Sequence, residues 1–142
     1  MNLLRDIQNA AVDSDNVSIA LRKAKILASR LNNDEFRQWV DCELNGYPED
    51  LKALPTYRIV PAIAKGYFSG WAGSALKNAP IPASCLPERF RDFARKVFLR
   101  QGIGSIESLI SAKGGIDGFR SEWPPDLVAL VVCNLESGTS IC

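Results

Sequence analysis

The spacing of apolar residues in the first 46 positions is the strongest constraint on what this chain can fold into. Apolar side chains recur every three or four residues in three successive segments, 3–11, 19–31 and 36–44. That spacing places them along one face of an α-helix. Short amphipathic helices with brief connections pack against one another, so residues 1–46 are predicted to form a three-helix unit.

The third segment carries the clearest boundary signals. Asn32 is a suitable N-cap, and Glu35 follows three residues later, as in a capping box. Asn45-Gly46 ends the segment, because glycine tolerates the backbone conformation that follows a helix C-terminus. We therefore expect a helix that begins after Asn32 and stops at Gly46.

The pattern changes in the middle of the chain. Residues 56–64 and 66–72 are rich in β-branched and aromatic residues, and Lys65-Gly66 can form a turn between them. These segments are predicted to form a short two-stranded β element, with Pro61 on an edge strand or at a bulge. The prolines that follow favour an extended backbone over 79–83.

Helical spacing returns after Pro87. A basic amphipathic helix is predicted from Pro87 to Arg100, followed by a short helix capped by Ser105. Pro125-Asp126 suits the start of a last helix, but 127–135 fits either a helix or a strand because its valines suit both.

These elements define the predicted fold class as α+β and predominantly α-helical. Its parts are an N-terminal three-helix unit (1–46), a short two-stranded β element (56–72) and a second helical unit (87–135) with two or three helices. The length of 142 residues is typical of one domain, so 1–142 is predicted to be a single domain. It is either a complete short protein or the N-terminal module of a longer one.

Composition excludes several kinds of catalytic site. The chain contains no histidine, which rules out Ser-His-Asp and Cys-His nucleophilic sites, zinc sites with histidine ligands, and ribonucleases that use their own histidine. The net charge of +1 provides no global attraction to polyanions. We expect no catalytic residue set, no metal and no cofactor.

The cysteines and the apolar runs bear on localisation. Cys42, Cys85, Cys133 and Cys142 form no CxxC pair, which makes a zinc site unfavourable; disulfides would need a secreted protein. The N-terminus lacks a signal-peptide pattern, and no apolar run approaches the length of a transmembrane helix. We expect a cytoplasmic protein with reduced thiols and no membrane partner.

Three blocks in the first 47 residues carry a resemblance to a known family. They read LLRxIQxAA over 3–11, LRKAKxLA over 21–28 and FxxWVxxELNGY over 36–47. Together they resemble the AbiTii domain family, and the last block is the most specific. Residues 54–58, 79–82, 86–87, 104–109 and 123–125 are similar to later family blocks, so the resemblance covers essentially the whole chain. The matching motif residues are Trp39, Glu43, Leu44, Asn45, Gly46, Tyr47 and Arg58.

The resemblance implies a role in bacterial abortive infection, in which an infected cell stops growing or dies before phage is released. The domain also occurs at the N-terminus of larger proteins, which suits recognition or assembly. The family supplies no catalytic residue set. It leaves the mechanism to be argued from this chain's own residues.

Several residues remain as site candidates. The basic residues of the predicted helix after Pro87 are candidates for an anion or nucleic-acid contact, although a solvated face is the favoured interpretation. Arg58 is expected on a strand, where it binds an anion or pairs with an acid, and the three tryptophans are expected in the core or as anchors. The basic residues are Arg89, Arg91, Arg95, Lys96 and Arg100.

Two functional hypotheses follow. The first is a non-enzymatic interaction or oligomerisation module of an anti-phage system, which acts as a homo-oligomer or with a protein partner. The alternative is a toxin that acts directly on nucleic acid through the basic 89–100 helix, with a metal held by carboxylates such as Asp41, Glu43 or Glu107.

Overall fold

A computed structural model describes residues 2–13, 16–112 and 120–136; for residues 13 and 133–136 it describes the backbone alone. Its architecture is the mainly helical α+β class that the sequence predicts. The helices are α1 (Leu3–Asp13), α2 (Val17–Arg30), α3 (Asp34–Asn45), α4 (Asp92–Arg95), α5 (Ile103–Ala112) and α6 (Pro125–Glu136). The strands are β1 (Ile59–Pro61), β2 (Lys65–Ser69), β3 (Ala75–Pro80) and β4 (Lys96–Phe98).

The chain divides into two compact units. The helical unit comprises Met1–Pro55 and Arg100–Arg120, and the mixed unit comprises Thr56–Leu99 and Ser121–Cys142. The segment 87–135, predicted as a second helical unit, contributes to both: α5 packs with α2 and α3, whereas α6 packs in the mixed unit. The assignment of 1–142 to a single domain stays a prediction.

The helical unit is built on the three N-terminal helices, as the apolar spacing predicts. Helix α2 packs against both α1 and α3, because its stripe of small and apolar residues faces them. Leu21, Ala24 and Val40 form the buried cluster, and Ile103 of α5 packs against it. The side chain of Val40 is fully buried, which places the start of the family block FxxWVxxELNGY in this core.

The N-terminus of α3 differs by one residue from the prediction. Asn33, not Asn32, is the N-cap: its side-chain oxygen accepts from the backbone N–H of Phe36 at 2.9 Å. Asn32 instead adopts a φ of +49°, a conformation that asparagine tolerates better than most residues. Helix α3 ends at Gly46 as predicted.

The mixed unit contains two antiparallel strand pairs, β1 with β4 and β2 with β3. The predicted hairpin between 56–64 and 66–72 is therefore wrong in its pairing. The extended, proline-rich segment around Ala79-Pro80 is the partner of β2, and Val97 of β4 lies opposite Val60 of β1. The partner of each predicted strand came from further along the chain, where local residue preference carries no pairing information.

The predicted continuous helix from Pro87 to Arg100 is also wrong. The segment forms a 3₁₀ turn at Glu88–Phe90, the short helix α4, and then strand β4, which begins at Lys96 with an extended backbone. Val97 and Phe98 are good strand formers, and the pairing of β4 with β1 outweighs the helical spacing. Helix α5 begins at Ile103, two residues before the predicted cap Ser105.

The core of the mixed unit consists of Cys85, Leu86, Ala94, Leu127 and Val131. Helix α6 supplies the last two of these residues, so the ambiguous segment 127–135 is helical in the described part of the chain. Cys85 is a buried free thiol, as expected of a small hydrophobe, and Cys42 is a half-buried one. The side chains of Cys133 and Cys142 lie outside the described residues.

Candidate functional site

Three residues of the family motif at the end of α3, Glu43, Gly46 and Tyr47, make contacts inside the helical unit. Glu43 is buried, and the Tyr47 hydroxyl donates to its Oε1 at 2.6 Å, one helical turn away. The Tyr47 N–H donates to the Arg100 carbonyl at 2.8 Å, and Gly46 forms an antiparallel bridge with Gln101. The ELNGY block therefore joins the end of α3 to the segment that leads into α5.

Two glycines make this join possible. Gly46 has a φ of +106°, and a Cβ there would lie 2.8 Å from the Arg100 carbonyl oxygen. A Cβ at Gly102 would collide with the Leu44 carbonyl group, whose carbon would lie at 2.9 Å. Because both obstacles are backbone atoms, neither can move aside as a flexible side chain would. Backbone packs closely on backbone at both positions, which explains why each is a glycine.

The carboxylates proposed as metal ligands have separate partners. Asp41 lies 2.6 Å from Lys25 Nζ, Glu43 is bonded to Tyr47, and Glu107 Oε1 accepts from the Ser18 N–H at 3.1 Å. In the part of the chain that the structure describes, no group of three or more Cys, Asp or Glu residues is placed to hold a metal ion.

Glu107 also lines an open groove of about 660 Å³ in the helical unit, together with Asn16, Ser18, Gly104 and Ser108. With its amide oriented to complement the carboxylate, Asn16 donates to Glu107 Oε2 at 2.6 Å. The Glu107 carboxylate thus links α5 to the start of α2, and this contact gives the carboxylate a structural role.

The five basic residues predicted to lie on one helix do not do so, because that helix is broken. In the mixed unit, Arg89 lies over the Phe90 ring at 4.6 Å, Arg91 Nε donates to the Leu86 carbonyl at 3.3 Å, and Lys96 is 3.4 Å from Asp92. Arg95 is exposed at the end of α4. Arg100 belongs to the helical unit and donates to the Glu49 carbonyl at 3.2 Å.

Arg58 is buried and lies in a 3₁₀ turn at Thr56–Arg58, not on the predicted strand. Its Nη1 donates to the Leu99 carbonyl at 3.3 Å, and its own carbonyl accepts from the Leu99 N–H at 2.8 Å. Arg58 therefore extends the β1–β4 pairing by one residue and braces it with its side chain.

The surface that sequence reasoning missed is the hairpin formed by β2 and β3. Trp71 at its apex is 93% exposed, although it was expected in the core or as an anchor. Tyr67 and Leu76 are exposed as well. Trp123 packs on the core of the mixed unit, as expected. Trp39 is 41% exposed and stacks on Phe36 at 6.0 Å, so it is not a core residue.

The hairpin is fastened at its base and closed at its apex. Ala64 and Ile81 at the base pack on the core and share a backbone hydrogen bond of 2.8 Å. At the apex, the Gly70 N–H donates to the Ser74 carbonyl at 2.7 Å, and the Ser74 hydroxyl donates to the Trp71 carbonyl at 2.9 Å. The exposed indole is thus presented from a hydrogen-bonded loop.

One signal for this surface was present in the sequence. Lys65 and Lys77 bound a run, 66–76, that contains aromatic and small residues but no charged residue.

The fold and its surfaces define a small, mainly helical α+β protein in which most of the polar candidates make structural contacts; among the described residues, the most exposed aromatic side chain is on a hairpin. Comparison with protein families matches residues 2–138 to the AbiTii family, and the chain belongs to that family. AbiTii proteins are associated with abortive-infection defence against phage. No curated protein and no solved structure matches the chain.

Among the described residues, none forms a helix that is long and apolar enough to cross a membrane.

Proposed function

We propose that this AbiTii chain is a non-enzymatic interaction module of an abortive-infection system, which acts in the cytoplasm by self-association or by binding a partner. The hairpin of β2 and β3 is its docking element. The observation that carries the proposal is the 93% exposure of Trp71 at the apex of a hairpin fastened to the core. Tryptophan is among the residues that contribute most to binding when an interface buries them.

The surroundings of Trp71 support the same proposal. Tyr67 and Leu76, on neighbouring strands of the hairpin, are each more than half exposed. Isolated exposed apolar residues are normal on a protein surface, but several large ones on one projecting element are typical of an interaction site. The Ser74 hydrogen bonds hold the loop, so docking would order few additional backbone torsions.

The polar residues support docking over catalysis. The carboxylates considered for a metal, Asp41, Glu43 and Glu107, each have a partner in a different part of the helical unit. A general acid or base must be able to reach a substrate, and Glu43 is buried.

The test compares the wild type with Trp71→Ala and with the control Val12→Ala, which removes an 85% exposed apolar side chain from α1. Light scattering reports self-association, and affinity capture from phage-infected cells reports partners. We expect Trp71→Ala to weaken the association about thirtyfold, as for an interface hot spot of about 2 kcal/mol. Val12→Ala is expected to leave it unchanged.

Two results would count against the proposal. One is a strict monomer that captures no partner, or a Trp71→Ala variant that associates as the wild type does. The other is cleavage of RNA or DNA by the pure protein in the presence of Mg²⁺ or Mn²⁺, which would favour the toxin hypothesis.

A further inference from the structure

The hairpin tip, defined as residues 66–76, combines three properties. It contains no charged residue, it carries Trp71 at its apex, and its two ends are marked by Lys65 and Lys77. The surrounding sequence sharpens this pattern, since no acidic residue occurs between Asp50 and Glu88. The tip is thus an apolar projection with positive charge at its base and no negative charge near it in sequence.

The charges and the indole lie at different levels along the hairpin. Phe68 pairs with Leu76, and Lys77 follows Leu76 directly on β3. Trp71 is three residues beyond Phe68, at most about 10 Å at the usual rise of a strand, whereas Lys65, which pairs with Pro80, is three residues further back toward the base. A partner must therefore offer an apolar region to Trp71 and, within about 10 Å of it, negative charge that faces Lys77 and attracts Lys65.

An anionic bilayer has this layout. Its phosphate groups form one layer, and apolar chains begin a few ångströms beneath it. Tryptophan is enriched at that boundary, peripheral proteins bury apolar side chains about 5–10 Å into it, and lysine extends back to the headgroups.

Two other occupants match less well. A nucleic acid stacked on Trp71 would place its phosphates beside every base, over the part of the hairpin that has no positive charge. A second copy of the hairpin, docked tip to tip, would offer Lys65 and Lys77 no negative charge, because its tip contains no acidic residue.

We propose that the hairpin tip docks on the surface of an anionic lipid bilayer, with Trp71 at the boundary of the apolar region, Lys77 at the phosphates and Lys65 further out, within the attraction of the same anionic surface. This inference rests on the proposed docking function and names the partner. It departs from the expectation of no membrane partner, which rested on the lack of a long apolar run and on the net charge of +1, whereas the hairpin carries a local excess of positive charge. A hairpin that enters only the interface needs no spanning helix.

The experiment uses the full chain with Trp39→Phe and Trp123→Phe, so that Trp71 is the one fluorescent indole. Circular dichroism first verifies that this reporter protein is folded. It is then titrated with vesicles of phosphatidylcholine, with and without phosphatidylglycerol. We expect a blue shift of Trp71 emission and quenching by brominated lipid with the anionic vesicles alone.

Vesicle sedimentation of variants in the wild-type background tests the assignment of residues. Lys77→Gln is expected to weaken binding about fivefold, and Lys65→Gln by a smaller factor because Lys65 is further from the tip. Trp71→Ala is expected to weaken it at least tenfold. Lys52→Gln, which removes an exposed lysine from the helical unit, is the matched control and is expected to have no such effect.

The outcomes separate this inference from the function on which it rests. No vesicle binding, or binding that Trp71→Ala leaves intact, overturns the lipid assignment. If Trp71→Ala still abolishes self-association or partner capture, the docking function stands and the partner is a protein. Binding of single-stranded RNA by the tip, without binding to vesicles, would also overturn the lipid assignment.

Discussion

The ELNGY motif and the hairpin of β2 and β3 are opposites in what they do with their polar and aromatic groups. In the motif, a buried carboxylate, a tyrosine hydroxyl and two glycines are all used in contacts within the helical unit. In the hairpin, the largest aromatic side chain has almost no contact and is 93% exposed. The residues that best identify the family thus hold the fold, whereas residues of a less specific type form the accessible surface.

Because of this difference, substitutions in the two regions should have different effects on stability and on docking. Substitutions in the motif should lower the free energy of unfolding, and any loss of function should follow from the loss of folded protein. Substitutions at the hairpin tip should leave the free energy of unfolding nearly unchanged and remove docking directly.

The largest effect is expected for Gly102→Ala. The added Cβ would collide with the Leu44 carbonyl, a backbone group that cannot step aside, so we expect a loss of about 3 kcal/mol or more in unfolding free energy. Gly104→Ala is the matched control, because a Cβ there meets open space on a helix. It should be neutral or stabilise by up to about 1 kcal/mol. Equal denaturation midpoints for the two variants would contradict the close packing.

A smaller effect is expected for Tyr47→Phe. The variant loses the hydroxyl that donates to the buried Glu43, and a hydrogen bond to a charged group contributes about 2 kcal/mol. Tyr67→Phe removes the same hydroxyl from the exposed hairpin and should change stability by less than about 0.5 kcal/mol. Urea denaturation measures both values, and a similar loss in the two variants would remove the distinction between motif and hairpin.

How much of the fold could be predicted depends on how far apart the interacting residues are. Helices α1 to α3 follow from local spacing, and Gly46 ends α3 through a local conformational preference. The segment after Pro87 has equally helical spacing, yet Lys96–Phe98 is a strand because its partner is Ile59–Pro61. No signal within either segment specifies that pairing.

For the ELNGY motif and the hairpin, too, only the features that depend on local preference could be predicted from the sequence. Sequence identified the motif, since glycine and helix-end preferences are local, but it did not show that Glu43 is buried against Tyr47. It treated Trp71 like the other tryptophans, because exposure depends on which elements cover a side chain and not on its type. The charge boundary at Lys65 and Lys77 was the one local signal.

Two threonine substitutions test whether residues 96–98 form a strand. Lys96→Thr replaces an exposed strand residue with a better strand former and should stabilise by a few tenths of a kcal/mol, less whatever its ion pair with Asp92 contributes. Gln38→Thr makes the corresponding change on the exposed surface of α3 and should destabilise by about 0.5 kcal/mol. If both variants are destabilised by the same amount, residues 96–98 behave as the helix that spacing predicts.

The smallest effect on stability is expected at the hairpin tip, where Trp71→Ala should alter the unfolding free energy by less than about 0.5 kcal/mol. The same variant should lose the biological function. This combination is what distinguishes a docking residue from a core residue.

The most direct test is therefore the efficiency of phage plating on cells that produce the wild type, Trp71→Ala or Val12→Ala at equal levels of folded protein. Protection that is lost with Trp71→Ala and kept with Val12→Ala is the predicted result. Full protection by Trp71→Ala would contradict the claim that the hairpin tip is the docking surface.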